Sequence, residues 1–373
     1  MHLDRLDKNE ALSLFQSATQ LELMERANAA RFARHPENEV TLVFDTNPNY
    51  TNACITDCTF CSFYRKPGHE EVYVLTPSEM AAKAVDAQAL GVTTMLLQGG
   101  HNPDLDIEYY LDVITAIQEA APALHQHFFS PPEIEHISLT SDLSTREVLQ
   151  RFWEAGLRTI PGGGAEILVD AVRRRVSPKK TSAGNWLNIM REAHEIGFKT
   201  SATMTYGHME SEKDIIDHLL ALRELQDETG GFYSFIPWSF KPGGSPLSNL
   251  VPHVKSASYY IRVIAIARLV LDNFDHVQAS WFGEGWRAGQ LALHAGADDF
   301  GGVLLEENVL YQAEHRCAST VDHVLKTISD AGFTPVQRST EYQILSYPAL
   351  GSAMNEGDPV HERVNEAQTA NTF

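Results

Sequence analysis

Residues 76–101 read TPSEMAAKAVDAQALGVTTMLLQGGH, and this one stretch holds a complete repeat of the architecture. Thr76 is a hydroxyl N-cap, Pro77 suits a first helical position that needs no amide hydrogen, and Glu79 stands three residues after the cap, within reach of the cap's own N–H. Gly91 offers the left-handed residue that stops a helix. Thr94 to Leu97 is then a short apolar run bounded by turn residues, the length of a strand. Gln98-Gly99-Gly100-His101 leaves that strand in a glycine loop. The order is helix, stop, strand, loop.

The same order recurs in both directions along the chain. Strand candidates fall at 40–45, 94–97, 127–130, 159–161, 200–205, 233–238, 277–281 and 299–303. Helix-period segments separate them at 79–90, 109–120, 145–155, 186–195, 213–228, 257–272 and 286–294, with 321–331 after the last strand. Gly156, Gly197 and Gly332 punctuate later helices as Gly91 does the first. Strict alternation requires parallel strands with crossover helices, in an open sheet or a closed barrel. Eight units favour an α/β fold of the (β/α)8 TIM type, whose chemistry sits where strands end and loops begin. Residues 1–39 read as a short helical N-terminal extension, 40–345 as the barrel (core about 40–275, last units and C-terminal elements 276–345), and 346–373 as a polar tail.

The whole-chain numbers limit the partners. The 373 residues are 43% hydrophobic and carry a net charge of −20. That charge repels a phosphate backbone or an anionic leaflet, so neither nucleic acid nor a membrane surface is expected as partner. No run approaches the ~20 apolar residues of a membrane span, and the opening MHLDRLDKNEALSLF lacks a signal peptide's apolar core, so a cytoplasmic protein is expected. Four cysteines make no disulfide framework in a chain of this length, which turns attention to their spacing.

Three of the four follow the first strand directly, in Asn49-Tyr50-Thr51-Asn52-Ala53-Cys54-Ile55-Thr56-Asp57-Cys58-Thr59-Phe60-Cys61. Zinc normally takes four ligands in two pairs, and no second pair exists. A 4Fe-4S cluster held by three thiolates keeps one iron open for another ligand. Cys317, far along the chain, reads as a packed helix residue.

The C-x3-C-x2-C spacing with an aromatic residue before the third cysteine resembles the radical S-adenosylmethionine (SAM) superfamily. The resemblance implies a barrel fold, a 4Fe-4S cluster on Cys54, Cys58 and Cys61, and SAM chelated at the open iron with Phe60 near its adenine. Gly99 and Gly100 stand where that superfamily often has Gly-Gly-Glu against the SAM amino group. Here His101 replaces the acid. In Ile160-Pro161-Gly162-Gly163-Gly164-Ala165-Glu166-Ile167 a carboxylate follows three glycines. A phosphate site would want a Lys, so Glu166 suits ribose hydroxyls, or else it is a helix-start glutamate favoured by the dipole. Similarly placed acids in the superfamily bind the SAM ribose.

Other loops carry side chains with two readings each. Tyr206-Gly207-His208-Met209-Glu210 offers His208 and Glu210 as ligand-facing groups or as a satisfied network. Trp238 in FIPWSFKPG (235–243) and Trp281 in QASWFGEG (278–285) either cap the barrel or wall a substrate pocket. Arg338 in PVQR suits a carboxylate or a surface salt bridge.

Over most of the chain, stretches such as NYTNACITDCTFCSFYR, IPGGGAEIL, FIPWSFKPG, LLEENV and PVQRSTEYQIL are similar to the cyclic dehypoxanthine futalosine synthases of the futalosine route to menaquinone. Aminofutalosine synthase and the deazaflavin precursor synthase are sister families. The resemblance implies an oxidoreductase-type cyclase in which a 5′-deoxyadenosyl radical takes hydrogen from the substrate ribose C4′ and the carbon radical attacks the benzoate ring. It implies a reducing protein such as flavodoxin or ferredoxin as partner. His101, His208 or Glu210 would take the final proton, and Arg338 or Lys241 would hold the benzoate. One departure is Phe282-Gly283-Glu284-Gly285-Trp286, where the family pattern has a Val-Thr-Gln-Gly type sequence. The readings that compete are aminofutalosine synthase chemistry, in which the adenosyl group stays in the product, and a non-enzymatic iron-sulfur electron carrier.

Overall fold

Strand one of the expected eight is bent in two. In the computed structural model, which describes residues 5–315 and 319–350, β1 (Glu39–Val43) and β2 (Asp45–Thr46) are separated by Phe44 and serve different sheets. β2 starts a seven-stranded parallel sheet that continues in chain order through β3 (Thr94–Leu97), β4 (His125–Phe128), β5 (Thr159–Ile160), β6 (Lys199–Tyr206), β7 (Phe232–Ser239) and β8 (His276–Val277). β1 pairs instead with β9 (Asp299–Gly302), Thr41 opposite Asp299 and Val43 opposite Gly302. Gln278, just past β8, bridges to the same Asp299. β9 therefore links the last strand of the large sheet to the first strand of the chain, and the ring closes as an α/β barrel. Pro237 is tolerated inside β7 because β8 pairs only at Ser234 and Phe235, so no ladder donor is missed at that edge.

Two strands were not expected. β10 (Thr334–Arg338) runs parallel to β1 from Glu39 to Leu42, and β11 (Ile344–Ser346) turns back antiparallel on it. β1 thus has β9 on one edge and β10 on the other, and β3 is reached only through β2. Thr340, after β10, bonds the first residue of β3, Thr94, at 2.8 Å between hydroxyls. The segment after β10 is thereby tied to the start of β3. Residues 129–130 and 279–281 leave their strands early: Ser130 caps the helix Pro131–Thr140, and Trp281 begins the short helix Trp281–Glu284.

Local chemistry explains the helix starts. Thr76 and Glu79 form the capping box around Pro77–Ala89, and Ser144 with Glu147 repeats it at Thr145–Glu154. Ahead of the barrel, helices Lys8–Ser17 and Gln20–Arg34 lie on its outer helical layer. Leu23 and Ala27 pack with Ala265 and Leu269 of the helix Ala257–Val270, and Arg262 donates to the Ala18 carbonyl at 2.9 Å. The start of the chain is thereby part of the barrel's coat. No helix among the described residues is long and apolar enough to cross a membrane.

Candidate active site

The loop after β2 carries the three cysteines at the C-terminal mouth of the barrel. Cys54 and Cys58 are buried and Cys61 half-buried. Burial pushes the Cys58 thiol up to about 12, with Lys180 pulling the other way, and burial also raises Cys61. Thiols so placed are costly as bare thiolates and are suited to metal, which takes the charge. Among the described residues the one trio of ligating atoms lying within 4.8 Å of one another is His35, His276 and Asp298, at the other end of the barrel. Three thiols on one buried loop, with no second pair of zinc ligands in the sequence, suit separate irons of a cluster. Cys317 lies outside the described residues.

The Gly-Gly loop after β3 is what seats this loop. A Cβ on Gly100 would stand 2.1 Å from the Ala53 carbonyl oxygen, and one on Gly99 would stand 2.5 Å from the Tyr50 ring. Gly100 N–H donates to Thr51 O at 2.9 Å, and Ile55 N–H to His101 O at 3.1 Å. Glu133 joins the layers, with one carboxylate oxygen accepting from Gly99 N–H (2.9 Å) and the Tyr50 hydroxyl (2.7 Å). Only glycine permits so close an approach of two backbones. His101 is buried and stacked on His136 at 5.1 Å, and burial holds its ring well below the ordinary histidine range, so it is neutral.

Glu166 is buried at φ +40, in the left-handed region that costs a non-glycine residue about 1 kcal/mol or more. It precedes the next helix, Asp170–Val176, by four positions, so it is not a helix-start residue. Its oxygens face two cations that the sequence reading missed: Lys180 Nζ at 2.9 Å and Arg173 at 3.5 Å. Burial acts to raise this carboxyl, but Lys180 and Arg173 outweigh it and hold it below the usual range. Lys180 also lies 5.7 Å from the centre of the Phe60 ring. Phe60, Glu166 and the cluster loop are thus one neighbourhood.

His208 and Glu210 follow the second of their two readings, a satisfied network. His208 Nε2 faces Thr205 O at 2.8 Å, and its Nδ1 accepts from Met209 N–H at 2.7 Å. Glu210 accepts from the N–H groups of Gly207 (2.5 Å) and His208 (2.9 Å). Both side chains are buried and brace their own loop.

Below the mouth lies a cavity of about 240 Å³ inside the ring. Trp238 and Phe282 wall it above, and Asp45, His127, Tyr233 and Arg338 lie deeper. Trp281 does not line it. That ring is buried under the wall, stacked on Trp286 at 4.0 Å, with its indole N–H bonded to Gly302 O at 3.1 Å. Its neighbour Phe282 takes the place expected for it.

The two cations expected to hold a substrate carboxylate each arrive with an acid of their own. Arg338 makes a two-point pair with Asp299, Nε to Oδ2 at 2.5 Å and Nη2 to Oδ1 at 3.0 Å, across the closing strands. Lys241 donates to Ser239 Oγ at 2.7 Å and faces Glu284 at 3.6 Å. Glu284 also accepts from Ser239 N–H at 2.7 Å. The departure at 282–286 is therefore a brace on the end of β7.

Asp45 was missed because it sits at a strand end with no motif around it. It is buried, Oδ1 accepts from Leu304 N–H at 2.8 Å, and burial raises its carboxyl to about 7 despite that bond and the nearby Arg338.

Comparison with known proteins agrees with this geometry. Residues 48–222 match the family model "Radical SAM superfamily", and 229–350 match "CofH/MqnC C-terminal region". The cyclic dehypoxanthine futalosine synthase of Halalkalibacterium halodurans is 40% identical over 92% of this chain and 92% of its own.

The chain belongs to the radical SAM superfamily.

A second relative of the same description, from Streptomyces coelicolor, is 37% identical over 96% of this chain and 90% of its own. The 5-amino-6-(D-ribitylamino)uracil–L-tyrosine 4-hydroxyphenyl transferase of Methanopyrus kandleri is 39% identical over 91% and 93%. Among solved structures, methylornithine synthase shares the fold with a TM-score of 0.69 at 19% identity, over 89% of this chain and 94% of that one. Membership of the superfamily implies a 4Fe-4S cluster and SAM, and the loop with Cys54, Cys58 and Cys61 has the donors for the first.

Proposed function

We propose that this radical SAM enzyme cyclises dehypoxanthine futalosine in menaquinone biosynthesis. Overall identity alone does not separate the cyclase from its sister activities, since relatives of both kinds stand at 37–40%. One observation carries the reading. FIPWSFKPG at 235–243 and LLEENV at 304–309, which resemble the cyclase more than either sister family, both line the barrel cavity, the first through Ile236 and Trp238 and the second through Leu304, Glu307 and Val309.

Cys54, Cys58 and Cys61 hold the cluster, and Phe60, Gly99, Gly100 and Glu166 bound the SAM site. When bound, the pair supplies a 5′-deoxyadenosyl radical. The chain's own part is to keep that site dry and to hold the substrate. Glu166, charged and locked by Lys180 and Arg173, presents its remaining lone pairs to ribose hydroxyls. Trp238 and Phe282 give flat apolar walls to the benzoate ring, and Arg338, paired with Asp299, lines the deeper part of the same cavity. Asp45, with one oxygen engaged and a raised affinity for protons, takes the proton that the ring radical releases when aromaticity returns, the accompanying electron being one that a bound cluster would accept. A soluble one-electron carrier protein reduces the cluster.

The test is stoichiometry. Anaerobic enzyme with reductant, SAM and dehypoxanthine futalosine should release free 5′-deoxyadenosine in equal amount to cyclised product. No turnover of dehypoxanthine futalosine, with an adenosyl-containing product formed when a carboxyvinyl (enol-ether) benzoate is supplied in its place, would assign the chain to the aminofutalosine synthase reaction instead. SAM left uncleaved by reduced, iron-loaded enzyme would assign it to electron carriage.

A further inference from the structure

Acidic residues are unevenly spread in this chain. Of 49 Asp and Glu, none falls between 171 and 191 and none between 229 and 271, whereas 173–180, Arg-Arg-Arg-Val-Ser-Pro-Lys-Lys, holds five cations in eight residues. The fold brings these two acid-free segments to the same place, the outer side of the cluster loop. Thr59 N–H donates to Val176 O at 2.8 Å, and Leu247 N–H donates to Thr59 O at 2.8 Å. Val176, Phe240 and Leu247 form one apolar knot with Phe60 packed against it. Thr59 is thus clasped by both segments, next to Cys58 and two residues before Cys61.

What the clasp shows to solvent is a basic rim around an apolar centre. Arg173 and Lys180 turn inward to Glu166, but Arg174, Arg175 and Lys179 are exposed. Lys179 pairs with Asp57 of the cluster loop at 2.7 Å, and Arg175 lies against Met209 O at 3.5 Å. Beside them Leu250 is 72% exposed, Val254 47% and Ile55, adjacent to Cys54, 44%. His253 and Lys255 extend the rim.

We propose that this surface, centred on Arg174, Arg175, Leu250 and Val254, is the docking face for an acidic one-electron carrier protein that reduces the cluster. The inference rests on the cluster assignment above and adds where the electron enters. On a molecule of net charge −20, an acidic partner is repelled by most of the surface, so a local basic rim steers it to one face. That face lies directly outside the peptide joining Cys58 to Cys61, which keeps the path from carrier to iron short. Exposed apolar side chains inside a charged rim are the composition of a transient interface.

The test uses iron-loaded full-length enzyme, flavodoxin in its fully reduced state as protein donor, and dithionite as chemical donor, with cluster reduction followed by loss of visible absorbance. In the R174E/R175E variant, reduction by flavodoxin should slow about tenfold or more near 0.05 M salt and approach the wild-type rate near 0.5 M, where screening hides the patch. Reduction by dithionite should be unchanged. Lys326→Glu, on the remote helix Val321–Asp330, changes net charge in the same direction and should leave both rates alone. An unaltered flavodoxin rate in the double variant would overturn the proposal, as would an equal loss with both donors or an equal loss in Lys326→Glu. A wild-type cluster that is reduced normally yet never cleaves SAM would instead defeat the functional reading and leave the docking result standing.

Discussion

Glu166 carries the clearest consequences of any single residue. Because Lys180 and Arg173 are buried with it, Glu166→Gln leaves two cations without their acid and should cost about 3 kcal/mol of stability in denaturant unfolding. Adding Lys180→Met should recover a large part of that loss. A cost near the 0.3–1 kcal/mol of a mere dipole interaction would refute the buried triad. Asp45 gives a pH signature of opposite sign to the usual carboxylate. Its folded value of about 7 lies above its ordinary 3.8, so its stabilising contribution is complete below about pH 4 and is lost as pH rises toward 7. Asp45→Asn should therefore melt higher than wild type at pH 8, by the equivalent of roughly 2 to 4 kcal/mol, and match it at pH 4. The same variant should still form 5′-deoxyadenosine while making less cyclised product. These residues also show where reading the sequence stops. Glu166 was visible because glycines announce it, but its partners Arg173 and Lys180 lie seven and fourteen positions on, a pairing set only by how the loop folds back. Asp45 has no local signal at all, since its environment is made by strands and loops distant in sequence.

At the level of elements, the cluster loop depends on the Gly-Gly loop beneath it as much as on its own cysteines. Substituting Cys54, Cys58 or Cys61 by Ala should abolish iron binding, and Cys317→Ala should leave the iron content unchanged. Gly100→Ala removes no ligand, yet its methyl would meet the Ala53 carbonyl at 2.1 Å, so iron content after reconstitution should fall sharply. Full iron loading of Gly100→Ala would show that the loop can move aside and that the close approach is dispensable. The strand–loop–helix order around this site was legible because capping residues and stop glycines mark helix ends in sequence, as at Thr76, Glu79 and Gly91. β10 was not legible. Thr334 to Arg338 has a strand's length but is placed by pairing with β1, nearly 300 residues earlier, which no local pattern encodes.

For the molecule as a whole, that late strand bears on how the ring holds together. Arg338, at its end, is fastened to Asp299 of β9, and both are buried, so Arg338→Ala should destabilise the fold by about 3 to 5 kcal/mol before any effect on substrate is felt. Arg338→Lys keeps charge but loses the two-point fit and should fall between the two in thermal melting. The alternation of strands and helices revealed the barrel, while the cavity at its centre follows from closure and from side chains on nearly every strand. The proposed cyclisation requires that this cavity hold the ribose of dehypoxanthine futalosine beside the adenosyl radical. Substrate deuterated at C4′, turned over anaerobically with SAM and reductant, tests this most directly by mass spectrometry. Deuterium should appear in the released 5′-deoxyadenosine, and the cyclised product should be lighter by the deuterium and one ring hydrogen. Unlabelled 5′-deoxyadenosine, or a product carrying the adenosyl group, would contradict the proposed cyclisation.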